Sequence, residues 1–435
     1  MAQYCKYYKL KKQVSYDNGV TFVDVTPAEY SKGELIEEHS VDCGYVGPTQ
    51  QALTFVPLES GYFTIATTDT NVTNTVYYST DGGSTWNTVI STSASTTPSS
   101  IQATAGNKIM WKSNSVVNLT FNSSCNYNVE GNILSLDYGD SFTGQTSVPN
   151  TRFGGRYYGL FKGSTKLISA EDLIMPQSYS SYSGNMGTCG AMFQNCTSLI
   201  KAPALPATSL INDDYAWMFA GCISLITAPA LPATTLCNWC YHQMFNGCTS
   251  LTTAPALPAT TLTEHCYQGM FDGCTSLSTA PVLSATTLAE SCYNGMFGGC
   301  ISLTTAPALP ATNLAELCYN SMFYGCSGLT TAPVLSATTL ANRCYRWMFY
   351  NCTSLTTAPE LPATTLTDEC YLLMFNGCTS LNYIKCLATN ISATDCTKYW
   401  VLNTSSNGTF VKASSMSSWS SGVNGIASNW TVQNA

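Results

Sequence analysis

The sequence has little charge and lacks a long apolar run. Charged residues make up only 10% of the 435-residue chain, and the formal net charge is −8. Binding to a phosphate backbone needs clustered Lys and Arg, so nucleic acid is not expected as a partner. No apolar run approaches the roughly 18 residues of a membrane-spanning helix, so membrane insertion is not expected. Residues 1–19 also lack the apolar core and cleavage site of a signal peptide.

Motifs of catalysis and of cofactor binding are missing as well. The sequence contains no phosphate loop, dinucleotide fingerprint, nucleophile elbow or calcium loop, and its three histidines share no motif. Cys237 and Cys240 form a lone Cys-x-x-Cys, with no second pair to complete a zinc site. We therefore expect neither enzymatic activity, nor a cofactor, nor a metal site.

The sequence does contain a strict internal repeat. The dipeptide Met-Phe begins at 192, 218, 244, 270, 296, 322, 348 and 374, always 26 residues after the last, and a Cys follows each Met by four residues. A fixed period of this length is typical of a solenoid, in which one coil cannot bury its apolar face alone. The repeat therefore predicts stacked 26-residue coils and favours an extended binding surface over an enzyme.

Each repeat shows the spacing of a short amphipathic helix. In one repeat, Leu262 is followed four, five, eight and nine residues later by Cys266, Tyr267, Met270 and Phe271. Apolar residues at this spacing share one face of a helix. Thr261 and Glu264 fit a capping box, and Gly273 follows as a stop signal. The Pro-rich remainder, Leu-Thr-Thr-Ala-Pro, allows only a very short parallel strand. Helices pack about 8–10 Å apart and strands about 4.8 Å, so we expect a curved array with the helices outside.

Most cysteines follow the same register. Of the 21 cysteines, sixteen recur at the repeat positions, with Cys189 one residue out of step. Because Cys is a small apolar residue that is often buried, a repeated core position explains them without disulfides. The sequence predicts free, buried thiols.

These patterns predict a multi-domain chain. The expected parts are an N-terminal attachment segment (1–48), a β-sandwich-like domain (49–135), a linker with an N-terminal capping coil (136–191), a leucine-rich-repeat solenoid (192–381) and a C-terminal cap (382–435). The fold class is thus a β-rich N-terminal region followed by an α/β solenoid, whose coils have one short helix and one very short parallel strand.

Two segments of the N-terminal region resemble a known turn. Ser79-Thr-Asp-Gly-Gly-Ser-Thr-Trp86 and Ser15-Tyr-Asp-Asn-Gly-Val-Thr-Phe22 are similar to the Asp-box of sialidases and other β-proteins. The resemblance implies a hairpin turn that lies far from any chemistry.

The repeats resemble a known family. The pattern Phe-x-x-Cys-x-x-Leu-x-x-Ala-Pro-x-Leu-Pro, over roughly 160–396, is similar to the BspA-type leucine-rich repeat of surface proteins in gut and oral bacteria. That family has shorter coils, with Ala-Phe and Val/Ile-Pro in these places. Met-Phe arrays preceded by Ser-x-Asp-Gly-Gly-x-Thr-Trp also resemble uncharacterised proteins of gut bacteria and their bacteriophages. The resemblance implies adhesion or recognition.

A few columns of the repeat vary freely, and by helical phase they lie off the buried face. They contain aromatic, Arg and His residues of the kind that anchor interfaces and stack on sugar rings. Neutral drift on a solvated surface remains the alternative. The candidate ligand-binding residues are Trp217, Trp239, His242, His265, Tyr324, Arg343, Arg346, Trp347 and Tyr350.

Two functions fit these features best. The first is a bacteriophage virion protein, a head or tail fibre or a decoration protein, located on the virion surface. Its N-terminal region would bind other virion proteins, and its solenoid would bind a host cell-surface protein or glycan. The second is a BspA-like adhesin on the bacterial cell surface, and an intracellular scaffold is a third possibility. The missing signal peptide favours the virion, and analogy with fibres suggests a trimer.

Overall fold

The chain forms two compact units, Met1–Thr49 and Gln50–Ala435. The computed structural model describes residues 13–14, 23–24, 51–67, 73–92, 99–114, 116, 118–149, 156–179 and 187–435. In the first unit these are two antiparallel strands, β1 (Gln13–Val14) and β2 (Val23–Asp24). The rest of the expected attachment segment, including the second Asp-box-like sequence, lies outside the described residues.

The second unit begins with two β-sheets. Its strands are β3 (Leu53–Pro57), β4 (Gly61–Thr67), β5 (Thr73–Ser79), β6 (Asn87–Thr92), β7 (Ser99–Ala103), β8 (Ile109–Lys112), β9 (Leu119–Ser123), β10 (Tyr127–Asn132) and β11 (Leu167–Ile174). One sheet has the order β11-β10-β3-β8-β5-β6 and the other β7-β4-β9. Within these sheets only β10 and β11 pair in parallel.

Aromatic side chains join the two sheets. The ring of Phe55 on β3 lies 5.0 Å from Phe63 and 4.9 Å from Phe121, which belong to the other sheet. Trp111 on β8 packs 5.2 Å from Phe55, and all four side chains are fully buried. The apolar residues alternate along the strands, so every second side chain points into this core.

Helix is almost absent from the part of the chain that the structure describes. It is confined to α1 (Ser135–Tyr138) and a following 3₁₀ turn (Gly139–Ser141). The molecule is therefore β-rich, with several sheets.

The repeats continue a parallel ladder that starts at β11. Ser169 of β11 bridges Lys201, and the bridges then pass through Thr227 to Thr253 and Thr279 in successive repeats. Beyond the repeats the strands lengthen, as β12 (Tyr383–Cys386), β13 (Thr409–Lys412) and β14 (Thr431–Asn434) pair in parallel. Between these ends each repeat contributes single-residue bridges rather than a strand.

Aromatic rings stack through the repeats at the same register. The repeated Phe rings are 5.4–5.8 Å apart and within 10° of parallel from Phe161 to Phe375. The repeated Tyr rings from Tyr215 to Tyr371 form a second column at 5.7–6.2 Å. The repeated Leu, Cys and Met side chains are buried beside these two columns.

The predicted helix in each repeat is not present in residues 187–435. An α-helix needs negative φ throughout and N–H groups bonded four residues back. Here every fourth residue has a positive φ, such as 64° at Trp239, 48° at Gln243 and 71° at Gly247. The Met244 N–H bonds three residues back, to the Tyr241 carbonyl, and the Phe245 N–H bonds to Met270 of the next repeat. Each repeat is thus a series of four-residue turns bonded to the next repeat.

The expected capping box is also absent. Thr261 forms a parallel bridge with Thr287 of the next repeat, and the Glu264 carboxylate accepts a hydrogen bond from Asn238 Nδ2 at 3.0 Å. Both sides of the repeat are bonded directly to their neighbours. The expected curvature therefore loses its basis, because it relied on helices that need wider spacing than strands.

The described cysteines are free, and all except Cys237 are buried, as the sequence predicts. Cys248 Sγ donates to the Phe219 carbonyl at 3.1 Å, and the contact recurs along the array at 2.9–3.2 Å. Burial raises the pKa of the Cys248 thiol well above its usual value. The cysteines are therefore core residues, and the eight that follow the Met-Phe pairs each add a weak hydrogen bond to a Phe carbonyl.

Aromatic residues cover both ends of the array. At the first end, Phe161 stacks 5.4 Å from Phe193 and also packs 6.1 Å from Phe121 of the sandwich. At the other end, the Trp400 indole stacks 5.6 Å from Trp419 and packs against Phe410. One continuous core therefore joins the two sheets, the repeats and the C-terminal strands.

Candidate functional site

The candidate residues lie in the turn segments, and several have a left-handed backbone. The φ angles of Trp217, Trp239, His265, Arg343 and Trp347 lie between 54° and 64°. This conformation costs a residue other than glycine roughly 1–2 kcal/mol. The same positions are left-handed in nearly every repeat, so the turn sets the conformation rather than the particular side chain.

Four of the candidates form one group, the Trp–His cluster, made of Trp217, Trp239, His242 and His265. The Trp239 indole stacks on the His265 ring at 3.8 Å and 14° from parallel. His242 meets Trp217 and Trp239 edge-on, at 4.8 and 4.9 Å. The cluster therefore spans three successive repeats.

The Trp–His cluster is fixed by hydrogen bonds and burial. Trp217 Nε1 donates to Gln243 Oε1 at 2.7 Å, and His265 Nδ1 lies 2.6 Å from Gln268 Oε1. His242 is only 6% exposed, so it supports the cluster from beneath rather than facing solvent. Burial, with a smaller contribution from His265, lowers the pKa of His242 to about 4. His242 is therefore neutral near pH 7.

The other five candidates form a second group, the Tyr–Arg cluster, made of Tyr324, Arg343, Arg346, Trp347 and Tyr350. The three aromatic rings stack, with Tyr324 at 5.1 Å from Tyr350 and Trp347 at 5.6 Å from Tyr350. Tyr324 is 39% exposed, and the Arg346 guanidinium lies 5.5 Å from the Trp347 ring. This cluster offers accessible aromatic surface.

Two glutamates hold the arginines of the Tyr–Arg cluster. Arg343 bonds to Glu316 at 3.0 Å and to Glu369 at 3.1 Å, and Arg346 also reaches Glu369 at 3.1 Å. The hydrogen bond that Arg343 donates to the Glu369 carboxylate is the main cause that raises the pKa of Arg343. The guanidinium groups are thus oriented in advance while remaining partly exposed. Exposed pairs of this kind stabilise a fold by only about 0–1 kcal/mol, so their main effect is on orientation.

The Asp-box-like sequence forms the hairpin between β5 and β6. Asp81 accepts hydrogen bonds from the Thr85 N–H at 2.9 Å, the Thr85 hydroxyl at 2.6 Å and the Ser79 hydroxyl at 2.7 Å. These bonds, those from Thr85 first, lower the pKa of Asp81 to about 2. The Asp81 carboxylate is thus bonded to other residues of the turn, as expected for a structural element.

Sequence reasoning did not single out two buried acidic groups at the start of the array. Asp137 is bonded to Arg156 and Tyr157, and burial raises its pKa while Arg156 opposes the rise. Asp214 accepts the N–H groups of Thr188 and Ile211 at 2.9 and 3.1 Å. Asp214 stands 26 residues before Cys240, so it occupies the repeat Cys position, a signal that the sequence did contain.

No metal-binding or membrane-spanning feature is found in the described parts of the chain. They contain no group of three or more His, Cys, Asp or Glu side chains that could hold a metal ion. None of their helices has the length and apolarity needed to cross a membrane. Compared with known proteins, the chain matches no family model and no curated protein.

Proposed function

We propose that this protein is a non-enzymatic recognition protein. In this proposal the repeat array is a leucine-rich-repeat solenoid of the BspA-like kind, built from stacked turns, and it binds a host cell-surface protein or glycan. The most favoured setting is the surface of a bacteriophage particle, as a head or tail fibre or a decoration protein. The N-terminal region would attach to other virion proteins, with a trimer as the expected assembly.

The observation that supports this proposal is the grouping of the candidate residues. Nine side chains from five repeats gather into two clusters on an otherwise uniform scaffold. Trp, Tyr and Arg are enriched at the centres of interfaces because they bury large areas with little loss of conformational freedom. Neutral drift would not by itself gather the variable aromatic residues into neighbouring repeats.

The second candidate is a BspA-like adhesin on a bacterial cell surface. The resemblance of the Phe-x-x-Cys-x-x-Leu-x-x-Ala-Pro pattern to that family supports it. Location separates the two candidates. Mass spectrometry of purified phage particles should detect the chain if the virion proposal is correct, whereas detection on intact cells and not in particles would favour the adhesin.

Attachment to host cells tests the recognition surface itself. The triple variant Trp239→Ala, Arg346→Ala, Trp347→Ala removes the centres of both clusters and should abolish most attachment. A matched control replaces three exposed bridge threonines, Thr253, Thr279 and Thr305, by Ala. Equal attachment by the wild type and the cluster variant would reject the two clusters as the binding surface.

A further inference from the structure

The backbone hydrogen bonds that join successive repeats stop at the last coil. In each repeat, the N–H groups of the repeated Phe and of the residue two positions later donate to carbonyls of the next coil, as Phe375 and Gly377 do at 2.8 and 2.9 Å. Val401 and Asn403 take these two positions one coil later, and Asn403 keeps the left-handed φ, at 60°. Among the described residues, neither the Val401 N–H nor the Asn403 N–H has an acceptor.

The chain beyond the last coil does not supply the missing acceptors. By the register of the array, they would be the carbonyls of Ile426 and Ser428. The Ile426 carbonyl instead accepts the Gly422 N–H at 3.2 Å, and Ser428 is exposed. The Trp400 indole fixes this segment by donating to the Gly425 carbonyl at 2.5 Å. The segment is therefore bonded to the last coil without continuing the backbone ladder.

A cavity of about 410 Å³ lies between the last coil and this segment, and we call it the terminal cavity. It is lined by residues 401–406 on one side and by residues 422–423 and 426–429 on the other. Its volume is within the range of about 300–1,000 Å³ that is typical of ligand sites. The terminal cavity thus occupies the place of a further coil, next to the two residues whose N–H groups lack acceptors.

The walls of the terminal cavity are uncharged. None of the lining residues is Asp, Glu, Lys or Arg. Val401 and Ile426 are buried, whereas Leu402 and Val423 are 47% and 56% exposed and give the cavity an accessible apolar surface. A charged ligand would lose hydration here without an opposite charge to compensate for the loss. A neutral hydrogen-bond acceptor with an apolar part is therefore favoured.

A peptide backbone has this chemistry and the required spacing. The Phe271 and Gly273 N–H groups, for example, donate at 2.9 and 2.7 Å to carbonyls that lie two residues apart in the next repeat. Unpaired N–H groups at the end of such a ladder are a template for pairing with another chain. A buried N–H without a partner costs about as much free energy as a lost hydrogen bond, so pairing at the buried Val401 is favourable.

We propose that the terminal cavity binds an uncharged segment of a partner polypeptide. Carbonyls of two alternate residues of the segment accept the Val401 and Asn403 N–H groups, and an apolar side chain of the segment packs on Leu402 and Val423. This site lies apart from the Trp–His and Tyr–Arg clusters and does not depend on them.

Hydrogen-exchange mass spectrometry of the full chain tests the backbone pairing. The probe is the acetylated and amidated peptide Tyr-Asn-Gly-Met-Phe-Gly-Gly, the sequence of residues 293–299, which is uncharged and presents alternate carbonyls to the preceding repeat. In the free protein, the Val401 and Asn403 amides should exchange faster than the equivalent Phe375 and Gly377 amides. Excess peptide should slow the exchange of two amides within residues 400–404 about tenfold or more.

Substitutions in the lining test the cavity itself. Ser428→Trp places a large side chain in the terminal cavity from an exposed position, and it should weaken peptide binding about tenfold or more. Ser417→Trp is the matched control, because Ser417 is exposed in the same C-terminal region but does not line the cavity, and it should bind normally. Val423→Ser removes apolar wall without adding bulk, so it should also weaken binding and serves if Ser428→Trp folds poorly.

Several results would overturn the proposal. These are unchanged exchange at residues 400–404 with excess peptide, and equal binding of the peptide by Ser428→Trp and the wild type. Equal protection by acetate in place of the peptide would assign the N–H groups to an anion. Protection without peptide, together with a doubled mass in light scattering, would assign the cavity to a second copy of the chain. The attachment assay with the Trp239, Arg346 and Trp347 variant is independent of all these outcomes.

Discussion

Replacing Tyr267 by Phe should leave the protein as stable or make it more stable. Tyr267 is 1% exposed, and among the residues that the structure describes its hydroxyl has no hydrogen-bond partner. Leaving a buried polar group unpaired costs about 1–3 kcal/mol. The ring itself packs well, at 5.7 Å from Tyr241 and 5.9 Å from Tyr293, and Phe retains both contacts. The substitution thus removes a penalty without creating a cavity around the ring.

Tyr127→Phe is the matched control. Tyr127 is equally buried, but its hydroxyl lies 2.9 Å from Ser164 Oγ, so its removal leaves the serine without that bond. We expect Tyr127→Phe to destabilise the protein by about 1 kcal/mol, and Tyr267→Phe to change the free energy of unfolding by about 0 to 1 kcal/mol in the opposite direction.

Urea unfolding measures the difference between the two variants. The midpoint should rise or stay level for Tyr267→Phe and fall for Tyr127→Phe, with the same dependence on urea for both. Tyr319→Phe should behave like Tyr267→Phe, because its hydroxyl is also buried without a partner among the described residues. If Tyr267→Phe destabilises the protein as much as Tyr127→Phe, the hydroxyl is satisfied and the reasoning is wrong.

Three further predictions concern the backbone and the titrating groups. Gly295→Ala should lower the free energy of unfolding by roughly 1–2 kcal/mol through backbone strain alone. The φ of Gly295 is 63°, and an added Cβ would meet no atom within 4 Å. An unchanged urea midpoint would contradict this prediction. Burial lowers the pKa of His242 to about 4 in the folded protein. The contribution of His242 to the free energy of unfolding should therefore be fully present above pH 6.5 and be lost as the pH falls toward 4. An NMR titration that gives His242 a pKa near 6.5 would refute this prediction. Burial raises the pKa of Asp214 to about 7, so the free energy of unfolding should fall as the pH rises from about 4 to 7. Asp214→Asn should therefore reduce the difference between the urea midpoints measured at pH 5 and at pH 8.

The repeat frame could be predicted from the sequence because it depends on burial alone. A residue type that returns every 26 positions must occupy the same place in each stacked unit, whatever the local backbone. The buried Leu, Cys, Tyr, Met and Phe columns follow from this rule, and so do the free thiols. The sequence also predicts a β-rich region before the repeats, at 49–135, and strands β3 to β10 lie there.

The local backbone could not be predicted from the same spacing. Four-residue turns and a helix of 3.6 residues per turn place nearly the same residues inward over ten positions. Cys266, Tyr267, Met270 and Phe271 fit both patterns. Two glycines four residues apart, such as Gly295 and Gly299, are typical of left-handed backbone positions. In most repeats, however, a residue other than glycine occupies at least one of these two positions, so the pattern is hidden. Hydrogen bonds to the next repeat compensate for the strain, and no local pattern predicts them.

The variable columns can change because the backbone hydrogen bonds between repeats do not depend on their side chains. The N–H groups of Trp239, His265 and Arg343 all donate to the carbonyl 25 residues ahead, a bond that any residue except proline can make. Ser291 and Leu317 have the same left-handed φ, so strain alone does not mark a functional residue. What distinguishes Trp239 and Arg343 is that their side chains meet others across repeat boundaries. Side-chain contacts between neighbouring repeats, rather than the conformation of single residues, are therefore the basis on which we propose a binding surface.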